Sequence, residues 1–596
     1  MKVARRVYIY LISYISLLLM LSGASDLLRL LLDAILGTPA PIVDASYQRE
    51  QYSRAGAILL VGAAVWAIHW MLAQRSVAGG GPEATEERLS VLRKLLIYGV
   101  LFTTAAQVFF ALYGLIQGVL ALHAGPGAES LSGVVSRTVP TLLVYGIGWL
   151  YYQQVRRRDN AVTPERGGAA TVRRWYYYLV NFGALSFAMS GIAGLARYVW
   201  ELITTGGAMG IVENTGLPWE FTTNTGWIIA GLGFWLVHWL PVQRLTAVSA
   251  DEQHAVLRKV YLYGIIFETV AVTLTSVALF LYNLLRYLLG TNPLADSGKS
   301  LLTAAGEPLL TALVYGLFWA YHRRVLAWDA GLVGEEPRQA GIRRLYHYLV
   351  ALIALAVLAS GVTSMLRLLI DLWLGGSATS ALNRQTWGDQ ISLFATLILV
   401  GAPVWYANWF RLQRWAMAAD GSADRQAVLR RIYLFLILFA SVITLLASTG
   451  WIIYQILRTL GESFSGSLIS DMSWALGAAV TGAVLLAYHL RVLLGDQRAG
   501  TGAPVAPHGE PATVPAPVPD DALAVVVAVH SRNPPAIEEA LGKLQDILPA
   551  GSVVEVLPAA HVTAGELRAW LAHHPIPPEP PALPSDSPPG SRPIPA

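Results

Sequence analysis

RRLYHYLVALIALAVLASG, residues 343–361, opens on two arginines, follows them with an aromatic cluster, runs apolar for the length of a helix and ends in Ser-Gly. The same order stands at residues 173–191, RRWYYYLVNFGALSFAMSG, and again from Arg5 and Arg6 through Ser22 and Gly23. A segment copied at matched spacing marks a chain built from internal repeats. It also bears on the first residues, MKVARRVYIYLISYISLLLMLSGASD, which have the basic head, apolar stretch and small residues of a secretory signal. A signal would not be copied twice into the interior, so this segment is expected to stay as a transmembrane helix.

A second series interleaves with the first: LRKLLIYGVLF from 92, LRKVYLYGIIF from 257 and LRRIYLFLILF from 429. Between the two series lie partner segments ending VWAIHW, GWLYYQ, FWLVHW, FWAYHR, VWYANW and LLAYHL. The pattern predicts an all-α polytopic membrane protein of about twelve transmembrane helices, arranged as six hairpins in three tandem pairs. The pairs occupy residues 1–165, 166–335 and 336–498.

Composition supports the membrane reading. A chain of 596 residues that is 55% hydrophobic and 13% charged, with mean hydropathy +0.50, has more apolar surface than one water-soluble core can bury. A lipid bilayer is therefore an expected partner, and the 19 tryptophans and 26 tyrosines suit its interfaces. With no cysteine the chain forms no disulfide, thiolate metal site or cysteine nucleophile. Most of the lysines and arginines gather at the N-terminus and every second connection, which predicts a plasma-membrane protein with both termini cytoplasmic. No nucleic-acid partner is expected.

Beyond the repeats the sequence changes character. Residues 499–521 are a Pro-rich linker, residues 522–574 alternate as a small cytoplasmic βαβα module, and residues 575–596 form a disordered Pro-rich tail. Thr563 and Glu566 make a capping box for the module's last helix. A core of about fifty residues is near the lower limit for independence, so 522–574 is expected to contact a cytoplasmic protein partner.

The interleaved arginine-pair helix starts and W-x-x-H helix ends resemble a family of prokaryotic multi-pass membrane proteins defined by domain of unknown function 5671. The resemblance covers about residues 1–498 and implies the repeat architecture. It implies no activity.

Four of the six partner segments place a histidine at one aligned level: His69, His238, His322 and His489, with Tyr152 and Asn408 in the other two. These four are the cofactor candidates, because histidines from different helices can ligate haem. Substitution by tyrosine and asparagine favours another role, since all three side chains both donate and accept hydrogen bonds. His69 lies about 9 Å inside the cytoplasmic edge, near the depth of Tyr8 and Tyr10, and a structural bond between helices is the expected use. No cofactor and no metal are expected, with haem the minority alternative.

Glu268 lies about 13 Å into a hydrocarbon core about 30 Å thick, where a carboxylate is a transport or proton-path candidate. Its repeat equivalents are Thr103 and Ala440. The three Ser-Gly pairs are expected to permit close helix crossing. Near the opposite interface, Arg29 with Asp33, Arg197 with Glu201 and Arg367 with Asp371 recur at one spacing, while Arg286 and Arg458 replace the acid in the alternate hairpins. Bonds between neighbouring hairpins are a possible use of these charges. There is no Walker loop, no dinucleotide-binding glycine motif, no HExxH and no nucleophile elbow. The sequence thus predicts a non-enzymatic membrane scaffold or sensor with a partner-binding tail. A solute or proton transporter stands as the alternative and a haem-binding redox protein as the second.

Overall fold

The structure, a computed structural model of the chain, describes residues 2–501 apart from 38–44, 80, 123–128, 205–217, 292–300, 334–336, 375–383, 419–420 and 459–465. The expected 522–574 module and the 575–596 tail lie outside the described residues. So does the 499–521 linker beyond its first residues, which continue the last helix to Thr501.

Among the described residues all regular structure is helical. The helices are α1 (Lys2–Leu36), α2 (Ala45–Arg75), α3 (Pro82–Leu89), α4 (Val91–Ala121), α5 (Leu131–Val162), α6 (Gly168–Thr204), α7 (Trp219–Val248), α8 (Ala250–Gln253), α9 (Val256–Leu288), α10 (Leu301–Val333), α11 (Pro337–Leu374), α12 (Arg384–Met417), α13 (Ser422–Arg425), α14 (Val428–Arg458) and α15 (Gly466–Thr501). Hydrocarbon offers no partner for a free backbone N–H or C=O, so a spanning segment closes its hydrogen bonds within itself.

Among the described residues eleven helices are long and apolar enough to cross a membrane, one fewer than the twelve expected spans. The exception is α5, a 32-residue helix whose apolar stretch is interrupted by Arg137 and Pro140 and ends in the basic run Arg156 to Arg158. It nevertheless pairs with α4 as the repeat pattern requires. The short helices α3, α8 and α13 are not among the expected elements. They precede α4, α9 and α14 at the same place in each copy.

The helices form one compact unit ending at Ala503. The hairpins are α1 with α2, α4 with α5, α6 with α7, α9 with α10, α11 with α12 and α14 with α15. Within each copy the first helix also packs on the last: α1 on α5, α6 on α10 and α11 on α15. Between copies, α4 packs on α6 and α7, and α9 packs on α11 and α12.

The first hairpin of each copy crosses at paired glycines. A Cβ on Gly23 would lie 2.5 Å from the Leu59 nitrogen, and one on Gly62 would lie 2.6 Å from the Met20 nitrogen. At Gly191 and Gly231 the nearest atoms are the Asn224 and Ala184 carbonyl oxygens, both at 2.7 Å, and at Gly401 the Leu358 nitrogen at 2.8 Å. The Ser-Gly repeats thus mark backbone-to-backbone crossings, where dispersion rather than hydrophobicity holds helices together in lipid.

Candidate functional site

The polar residues of the bundle concentrate at the end that carries the arginine pairs, and the same network occurs three times there. Arg93, at the start of α4, donates from Nε to Asp159 Oδ2 of α5 at 2.8 Å and from Nη2 to Gln74 of α2 at 3.1 Å. Its guanidinium lies 5.7 Å from the centre of the Trp70 ring. Arg258 makes the same set with Asp329 at 2.8 Å, Gln243 at 2.9 Å and Trp239 at 5.7 Å. Arg430 does so with Asp496 at 2.6 Å, Gln413 at 2.7 Å and Trp409 at 5.6 Å. Each arginine is buried, and its planar fork suits the bidentate grip on one carboxylate. Three helices are thereby tied at one point.

The arginine pairs serve a second tie. Arg6 Nε meets Glu87 Oε2 at 2.7 Å, Arg174 meets Glu252 at 2.8 Å and Arg344 meets Asp424 at 2.5 Å, so each pair clamps the short helix of its own copy. Tyr10 adds a hydroxyl donated to Glu87. Arg173 joins two copies, because it contacts both Glu165 after α5 and Glu252 on α8. In the first copy Lys94 has Glu165 at 2.8 Å, whereas in the second Lys259 shares Asp329 at 3.8 Å.

Just inside this ionic layer lies the aromatic one. The second tryptophan of each W-x-x-x-W donates its Nε1–H to a phenol of the copy's last helix: Trp70 to Tyr151 at 2.6 Å, Trp239 to Tyr321 at 2.9 Å and Trp409 to Tyr488 at 2.7 Å. The first tryptophan finds a phenol too, Tyr152 for Trp66 at 3.2 Å, Tyr261 for Trp235 at 3.4 Å and Tyr433 for Trp405 at 3.2 Å. A buried indole N–H without a partner is costly, and here the repeats supply one each time.

The histidines belong to this layer. In all four, Nδ1 faces the carbonyl four residues back: Val65 for His69 and Phe234 for His238 at 2.8 Å, Phe318 for His322 and Leu485 for His489 at 2.9 Å. Nδ1 therefore carries the proton and Nε2 is the acceptor. Tyr8 donates to His69 Nε2 at 3.3 Å, and the equivalent Tyr176 donates to His238 Nε2 at 3.0 Å. Asn408 reproduces both halves. Its Nδ2 donates to the Val404 carbonyl at 2.8 Å, and its Oδ1 accepts from His347 Nδ1, also at 2.8 Å. The donor there is His347, one position beyond the tyrosine expected from the pattern.

His322 and His489 are fully buried, and their Nε2 atoms have no hydrogen-bond partner among the described residues. They face Tyr261 and Tyr433, each with ring centres 6.1 Å apart. No group of three or more His, Cys, Asp or Glu able to hold a metal ion occurs among the described residues.

Glu268 stands apart from the repeated layer. It is half-buried on α9, and Ser186 Oγ of α6 donates to its Oε2 at 2.7 Å. At the opposite end of the bundle Arg367 and Asp371 lie 3.7 Å apart, while Arg286 joins Asp389 of the next copy at 2.5 and 3.2 Å. Where the first two copies meet at the arginine-rich end, a cleft of about 660 Å³ is lined by Glu165, Arg166, Arg173, Arg174, Asp251 and Glu252. Its acids and arginines largely neutralise one another.

Long apolar helices in three copies of one four-helix unit, each stapled by the same arginine, define a repeat-built multi-pass membrane protein. The chain belongs to the family of the domain of unknown function DUF5671, which matches it three times, over residues 6–149, 174–321 and 344–484. Each match falls on one copy. No curated protein and no solved structure matches the chain.

The bond to Tyr8 gives the His69 position a measurable value. His69→Asn is expected to hold its thermal stability in detergent, since Asn408 already fills the equivalent place with the same two bonds. His69→Leu leaves the Tyr8 hydroxyl and the Val65 carbonyl without that partner and is expected to lose about 1–3 kcal/mol. Equal melting of the two variants would contradict a structural role.

Proposed function

We propose that the chain is a non-enzymatic scaffold or sensor of the plasma membrane, with both termini cytoplasmic and the 522–574 segment contacting a cytoplasmic protein. The observation that carries this reading is the thrice-repeated layer. Its arginines, aspartates, tryptophans, most of its tyrosines and two of its four aligned histidines bond one helix to another, which suits a rigid frame better than a reaction centre. In this reading α5 is the twelfth span. Its length and its pairing with α4 support that, and an even number of crossings puts both termini on one side.

The second reading is a proton or solute carrier centred on Glu268. Its support is the bond from Ser186, which places a carboxylate and a hydroxyl together between two membrane helices. A haem-binding redox role ranks third, supported by the unpartnered Nε2 atoms of His322 and His489. The purified protein in proteoliposomes separates the three. The scaffold predicts no proton or solute flux above empty vesicles and no Soret band. Flux that Glu268→Gln abolishes would establish the carrier instead, and a Soret band would establish the haem protein.

A further inference from the structure

The joint between copies is used twice within the chain, and among the described residues the equivalent faces at the two ends of the array are uncovered. At the first joint Tyr98 of α4 packs its ring on Tyr176 of α6, with centres 5.5 Å apart. At the second, the equivalent Tyr263 of α9 packs on Tyr346 of α11 at 5.3 Å. The second joint is also closed at its far end by Arg286 of α9 and Asp389 of α12. Within each helix these positions align without gaps between copies. YNLLR at 282–286 matches YQILR at 454–458, so Arg458 stands where Arg286 does, and DQIS at 389–392 matches EQYS at 50–53, so Glu50 stands where Asp389 does. In the same register Phe435 of α14 corresponds to Tyr98 and Tyr263, and Tyr8 of α1 to Tyr176 and Tyr346.

All four of these equivalents face outward. Phe435 is 56% exposed and Tyr8 57%, whereas Tyr98 and Tyr176 are buried at their joint. The Arg458 side chain is 56% exposed and meets Asp471 of its own copy only at 3.8 Å; Glu50 is exposed. One end of the array therefore presents an aromatic and a cation, and the other presents the aromatic and the acid that this face meets inside the chain.

We propose that a second copy of this chain docks its α1–α2 hairpin on α14, head to tail, with Phe435 against Tyr8 and Arg458 paired with Glu50 of the second copy. Lipid tails can cover the apolar part of these faces, but they do not supply an acid in register with Arg458. The contact is heterologous, so it propagates as a ring if the rotation closes and as a filament if it does not. It holds for a scaffold or a carrier alike.

The chain has no cysteine, which makes thiol cross-linking in native membranes clean. Tyr263→Cys with Tyr346→Cys, treated with a short bis-maleimide, is the intramolecular control for the reach of the reagent. Tyr8→Cys and Phe435→Cys in one chain should then give a ladder of oligomers or one closed species, and a mixture of the two single variants should give dimers only. A reactive control beside a monomeric Tyr8→Cys, Phe435→Cys chain would overturn the proposal. So would single variants that cross-link to themselves as well as to each other, which would mean a symmetric contact.

Because Tyr8 also bonds His69, a second measurement leaves it intact and introduces the one thiol pair at other facing positions of α1 and α14. In that background Arg458→Glu and Glu50→Arg should each lower the cross-linked yield severalfold, and the two together should restore it. Reversals without effect, or without mutual rescue, would overturn the pairing.

Discussion

Asp329→Ala is expected to remove about 3–5 kcal/mol from the stability of the bundle, the range for a buried ion pair broken from one side. The loss comes from what remains. Arg258 is 1% exposed and would keep a positive charge where water cannot solvate it. The equivalent substitutions should rank below it in a set order. Asp159→Ala likewise strands Arg93, but the Asp159 side chain is 8% exposed against 2% for Asp329, so more of the loss is screened. Asp496→Ala should cost least, since the Asp496 side chain is the most exposed of the three and Arg431, in the place of Lys259, already faces outward. Replacing Arg258, Lys259 and Asp329 together by apolar residues should recover most of the loss, because the desolvation of the charges disappears with them. Thermal unfolding followed by circular dichroism in one detergent measures all four; equal losses at the three aspartates would show that burial is not the cause.

The residues behind that ordering are legible in the sequence as a spacing, but their burial is not. The six hairpins and the crossings at Ser-Gly follow from one-dimensional signals: arginine pairs, W-x-x-H ends, and small residues at fixed spacing. Asp159, Asp329 and Asp496 also stand at a constant spacing after Tyr152, His322 and His489, as do Glu87, Glu252 and Asp424 before Arg93, Arg258 and Arg430. Depth along a single helix places such charges at the membrane edge, where water or headgroups satisfy them. Only the convergence of three helix ends makes Arg93, Arg258 and Arg430 buried.

The short helices were missed for a related reason. Four residues such as Ala250–Gln253 carry no periodicity, and the ion pair to Arg174 anchors them. The helix α5 errs in the other direction. Its place in the repeat was legible while its apolarity was not, because Arg137, Pro140 and the basic run lower its hydropathy without removing its partner α4. The histidine layer was legible in its chemistry and, at His69, in its partner Tyr8, but not at Asn408, where His347 rather than Tyr346 makes the bond, since the shorter amide reaches a different position on α11.

Trp239→Ala is expected to rival the aspartate, at about 3–5 kcal/mol, for a different reason. The ring is 1% exposed, packs against Tyr261 with centres 5.2 Å apart and makes three further contacts. It stacks on Trp235 with centres 6.1 Å apart, underlies the Arg258 guanidinium at 5.7 Å and donates to Tyr321 at 2.9 Å. Alanine removes all of these and leaves a void that the flanking helices cannot collapse into, because α6 and α7 are already held at backbone contact by Gly191 and Gly231. Trp239→Phe separates the contributions. It keeps most of the packing and the cation–π surface and loses the donated hydrogen bond, so it should cost about 1 kcal/mol. A phenylalanine variant as unstable as the alanine variant would mean that the bond to Tyr321, not the ring volume, fixes the layer. The same pair of substitutions at Trp409, which is equally buried and bonds Tyr488 at 2.7 Å, should then follow Trp239. Agreement between copies is the stricter test, because a repeated frame requires the same side chain to do the same work in each of them.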